Sequence, residues 1–82
     1  MDMIIVEFQN LMTGEKRDLQ IPLHMTADHL VEALNKTYTL NIPIDDETQR
    51  YLQAENPVAF LKGDIELQDF GLHDGSVIFF VR

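Results

Sequence analysis

The stretch "DGSVIFFVR", residues 74–82, decides the fold. Asp74-Gly75 is a turn pair, and a strand-forming run follows it. A strand with one wet face alternates apolar and polar residues. Here Val77, Ile78, Phe79, Phe80 and Val81 are all apolar. Such a strand belongs near the middle of a sheet, with both faces in demand. The other most apolar stretch is "MIIVEFQ", residues 3–9. It places Ile4, Val6 and Phe8 on one face and Ile5, Glu7 and Gln9 on the other. The first and last strands are therefore expected to be central and parallel, with the remaining strands outside them.

Between these two strands the period changes and changes back. "MTGEK", residues 12–16, carries Thr13-Gly14, a hairpin signal. "RDLQIPL", residues 17–23, alternates again with Leu19, Ile21 and Leu23 on one face. Pro22 cannot donate to a ladder, which places this strand at an edge or ends it there. Ala27, Leu30, Val31, Leu34 and Tyr38 then recur at helical spacing. A helix over about 27–37 follows, with Thr26 as N-cap and Asp28 in the positive first turn. Asn41 and Pro43 are expected to break it, with Leu40 and Ile42 tucked under the sheet. "RYLQA", residues 50–54, reads as a short strand with Leu52 and Ala54 inward. After the Asn56-Pro57 turn, "VAFLKGD" gives another short strand, closed by Gly63 and expected at the far edge. "LQDFGL", residues 67–72, reads as a tight turn or 3₁₀ segment. The order ββαβββ makes an α+β layer, one helix packed across a mixed sheet, in a single domain over residues 1–82.

Composition narrows the function classes. The chain has 82 residues and no cysteine, so disulfides and thiolate chemistry are excluded. No apolar run approaches the ~20 residues of a membrane-spanning helix. The first residues lack a basic signal-peptide region, so a cytoplasmic protein is expected. The formal charge of −8 repels phosphate backbones and anionic lipid, so neither nucleic acid nor membrane insertion is expected. His24, His29 and His73 fall on a strand end, the helix and a turn, which argues against a shared metal. "DDE", residues 45–47, lacks the spaced oxygen ligands and glycine of a calcium loop. No Ser-His-Asp or Cys-His pattern and no Gly-rich phosphate loop is present. An enzyme is not expected, nor a cofactor.

The element order is that of the β-grasp, and several stretches resemble ubiquitin-type proteins. "MTGEK" is similar to that family's first-hairpin turn. "IPIDDETQR" is similar to its Ile-Pro segment leading to an arginine before the third strand. "LQDFGLHDGSVIFFVR" is similar to its closing block. Ubiquitin and the sulfur carriers continue into a flexible Gly-Gly tail, which an activating enzyme threads into a narrow site. No glycine follows Gly75 here, so neither C-terminal conjugation nor a thiocarboxylate is expected. A small, acidic, tail-less ubiquitin-like protein resembles the YukD/EsaB family, accessory components of type VII (ESX-like) secretion systems. The resemblance implies a non-enzymatic cytoplasmic adaptor or regulator. It would be held at the inner face of the cell membrane by a protein partner, with a membrane ATPase subunit as one candidate. A protein modifier or sulfur carrier, and an interaction module of another complex, are the alternative readings.

The expected contact surface is the sheet face away from the helix. With Ile78 and Phe80 inward, Val77, Phe79 and Val81 point outward, as do Ile5, Tyr51 and Gln53 from neighbouring strands. Gln53 takes the position of the central isoleucine that ubiquitin uses to bind partners. Ile5, Tyr51, Gln53, Phe79 and Val81 are the expected protein-interaction residues, with Phe79 as anchor. The competing structural reading is that edge packing and the hairpin residues Leu11 and Met12 cover this face. A symmetric homodimer through it is left open.

Overall fold

The computed structural model describes residues 2–43 and 45–81. Met1, Ile44 of the "IPIDDETQR" stretch, and Arg82, where the closing strand is expected to end, lie outside the described residues. In chain order the elements are β1 (Met3–Asn10), β2 (Glu15–Pro22), α1 (Ala27–Tyr38), β3 (Leu52–Glu55), β4 (Ala59–Leu61), a 3₁₀ turn (Leu67–Phe70) and β5 (Val77–Phe80). They form one five-stranded sheet in the order β2-β1-β5-β3-β4. β1 and β5 run parallel, and the other neighbours are antiparallel. The two most apolar strands are thus adjacent inside the sheet, with β2 and β4 at its edges.

Period-2 patterning sets the phase. Ile4, Val6 and Phe8 of β1, Ile21 of β2, Leu52 and Ala54 of β3, Leu61 of β4, and Ile78 and Phe80 of β5 are buried. Ala27, Leu30, Val31 and Leu34 supply the buried stripe of α1. Leu40, Ile42, Leu67 and Leu72 close the core. Tyr38 stacks on Phe8 with ring centroids 4.8 Å apart. The Thr26 hydroxyl accepts the His29 N–H at 3.2 Å, the expected N-cap.

β2 starts at Glu15, two residues before the sequence reading, and β5 ends at Phe80, and three further boundaries differ. The helix is ended by Thr39, before Asn41 and Pro43: Thr39 is left-handed at φ 53° and its N–H bonds to the Asn35 carbonyl. The chain beyond is then clasped by the Asn35 side chain, which accepts the Ile42 N–H at 2.9 Å and donates to the Ile42 carbonyl at 3.1 Å. That clasp puts Leu40 and Ile42 in the core. β3 starts at Leu52, not Arg50, because Arg50 N–H is engaged at 3.0 Å by the Asp46 carbonyl of the preceding turn. β4 ends at Leu61, short of Gly63, whose N–H bonds instead to the Asp28 carboxylate at 2.9 Å.

The opening turn works as a staple between the central strands. Gly75 sits at φ +90°, a conformation that strains any residue with a Cβ. Its N–H bonds to the Ile5 carbonyl at 3.0 Å, and the Asp74 carboxylate accepts the Ile5 N–H at 2.8 Å. Next to it Ser76 is fully buried. Its hydroxyl donates to the Asn56 carbonyl at 2.5 Å and accepts the His73 N–H at 3.0 Å. Alanine at Ser76 leaves both groups without that partner, and we expect a cost of about 1–3 kcal/mol. Urea denaturation should show a lowered midpoint at unchanged slope. An unchanged midpoint would show that the hydroxyl contributes nothing to the junction.

Candidate protein-interaction face

Because α1 packs on one side of the sheet, the other side is left without a covering element among the described residues. The cross-strand register determines which side chains meet there. Phe79 lies between Gln9 of β1 and Gln53 of β3. Gln53 in turn faces Phe60 of β4. Continuing the β3–β5 register by two residues brings Tyr51 beside Val81. The Tyr51 and Phe60 rings meet edge to face at 5.8 Å, an arrangement that suits the ring quadrupoles.

The structure therefore brings Tyr51, Gln53, Phe79 and Val81 together at the β3–β5 end of the outer face. Phe79 and Tyr51 are half-buried, and Val81 is 42% exposed. Ile5, 55% exposed, lies at the opposite end of the same face. It sits four residues before Gln9, the partner of Phe79, which is about 13 Å along the strand. Val77 and the hydrogen-bonded Glu7–Gln9 pair lie in between. Leu11 and Met12 of the hairpin turn are themselves exposed.

Phe60 is the residue that the sequence reading missed. The signal was available: with Leu61 inward, alternation points Phe60 outward, next to Gln53. Two hollows adjoin it. One is framed by Thr48, Tyr51, Phe60 and Lys62, with a volume of 190 Å³. The other, of 610 Å³, lies at the sheet edge between Phe60, Ile65 and Phe70, with Asp28 and Arg50 lining it. Arg50 Nε and Asp28 Oδ1 are 3.5 Å apart, so this acidic residue of the first helical turn also ties the helix to the segment before β3.

The titratable groups elsewhere are dispersed. His24 stands 3.4 Å from Glu66 and 4.0 Å from Asp2. His29 is on α1, and His73 Nδ1 lies 2.8 Å from the Asp74 carbonyl. In the "DDE" loop the Asp46 carboxylate accepts from the Thr48 N–H and hydroxyl and the Gln49 side chain. Among the described residues no helix is long and apolar enough to cross a membrane. What the outer face offers chemically is aromatic and apolar surface around Gln53.

Solved structures share the fold at low identity. The C-terminal ubiquitin-like domain of mouse tubulin-specific chaperone e superposes with a TM-score of 0.72 at 15% identity, covering 95% of this chain and 84% of that one. The tubulin-binding cofactor B of Trypanosoma brucei gives 0.70 at 14%, covering 95% and 92%. The ubiquitin-like domain of Plasmodium falciparum Dsk2 gives 0.62 at 19%, covering 95% and 97%. No curated protein matches by sequence. The fold is thus the ubiquitin-like β-grasp. The family model described as "WXG100 protein secretion system (Wss), protein YukD" matches residues 4–79, nearly the whole of the sheet and its helix. The chain belongs to the YukD family of ubiquitin-like secretion-system proteins.

Proposed function

We propose that this protein is a non-enzymatic adaptor of a WXG100-type (type VII) secretion system, acting in the cytoplasm by docking on another subunit of the machine. The observation that carries the reading is the outer sheet face. Tyr51, Gln53, Phe79 and Val81 lie on adjacent strands with no element of the chain over them among the described residues. Contiguous apolar surface of this kind in a small domain marks a contact site. The acidic balance of 14 Asp and Glu against 6 Lys and Arg favours a protein partner over nucleic acid or anionic lipid. A membrane-anchored ATPase subunit is the partner that would hold the protein at the inner membrane face.

Deletion of the gene tests the role. Secretion of the WXG100 substrate into the medium should fall to background and return when the wild-type chain is supplied. Undiminished secretion in the deletion strain would rule the adaptor role out. A C-terminal covalent adduct found by intact-mass measurement would favour a modifier or carrier instead.

A further inference from the structure

The two edges of the sheet are unlike. β2 exposes Lys16, Arg17 and Asp18 and ends at Pro22, which are devices that discourage pairing with another strand. β4 is protected only by its shortness, three residues, and by the flanking Pro57 and Lys62, with no charge inside the strand. From Asn56 to Leu61 the chain carries no charge, and it presents Val58 at 86% and Phe60 at 60% exposure. Ile65, just beyond, is 48% exposed. β4 pairs with β3 alone, so its outer edge is open among the described residues.

We infer that the β4 edge is a second docking site, taking an extended segment of a partner protein with an apolar core and basic flanks. The inference rests on the reading of this chain as a contact module. Phe60 borders both hollows, on the outer face and around the edge. A strand laid beside β4 sends alternate side chains to opposite faces, so one extended segment can reach both. Charge selects the flanks. Asp28, Glu47 and Asp64 line the larger cleft, against Arg50, which is close to Asp28, and Lys62. The chain as a whole carries −8, so a second copy would bring like charge against like, whereas a basic segment is attracted.

The test uses two blocked synthetic peptides with the same short core of valine and leucine, one flanked by lysines and the other by glutamates. Each is titrated into isotope-labelled protein and followed by backbone amide NMR. The lysine peptide should shift the amides of Ala59–Leu61 and Ile65, and added salt should weaken it. Phe60→Ser and Ile65→Ser, both at exposed positions, should each lower its affinity about tenfold or more while the spectrum stays folded. Absence of shifts at β4 would overturn the inference, as would equal binding of the glutamate peptide. Shifts at β4 on concentrating the protein alone would overturn it too, because the occupant would then be a second copy. The secretion assay is independent of this readout. Peptide binding without a secretion role would sink the adaptor reading and spare the edge site, and the converse would sink the edge site alone.

Discussion

Replacing Phe8 by alanine should remove a large part of the stability of this domain. Phe8 is fully buried, stacks on Tyr38 and lies at the register point where β1 meets both β2 and β5. Its loss opens a cavity against the helix and the two neighbouring strands at once. Truncations of buried phenylalanine cost about 3–5 kcal/mol. Domains of this size hold roughly 4–12 kcal/mol in all. The melting temperature should fall by about 15–30 °C, at several degrees per kcal/mol. Ile5→Ala is the control from the same strand. Its side chain faces solvent, so it should stay within about 0.5 kcal/mol of wild type. A cost below about 1 kcal/mol for Phe8→Ala would mean that the helix does not pack where the structure puts it.

Phe79→Asp should do the reverse, leaving the fold and abolishing the function. Phe79 points away from the helix, and its cross-strand neighbours are Gln9 and Gln53. No carboxylate is directly opposite; Glu7 and Glu55 are diagonal neighbours on the same face, which adds only a modest, salt-screened repulsion. The strand-propensity loss is on the order of 1 kcal/mol. A charge at the centre of a docking surface has no such tolerance, because the partner would have to bury it. The variant chain, present at wild-type level by immunoblot, should fail to restore secretion in the deletion strain. Full restoration would move the contact off this face.

The strands were legible because a sheet buried on one side imposes a period of two: β1 keeps it over all eight residues, and β2 in its second half, where Leu19 and Ile21 alternate with Gln20. The central place of β5 followed from its unbroken apolar run. The stop at Thr39 was not legible, since a β-branched residue at positive φ runs against its own propensity. The Ser76 bond to Asn56 joins groups twenty residues apart, and the Asn35 clasp on Ile42 reaches seven residues across the helix end, and neither leaves a periodic signal in the sequence. Ile5 and Phe79 share a face by parity, but parity leaves the distance along the strands open. The register supplies it, and the same register brings Phe60 next to Tyr51. The family resemblance was carried by the order of several weak motifs between residues 12 and 82, and the family match covers residues 4–79.

The most direct test of the central claim is affinity capture from native membranes with the tagged wild-type chain, its retained proteins identified by mass spectrometry. Phe79→Asp, shown folded by circular dichroism, is run beside it. The adaptor account predicts a secretion-system subunit retained by wild type and lost with the variant. A secretion subunit retained equally by both would contradict the outer face as the docking surface. No secretion subunit retained by wild type would contradict the account itself.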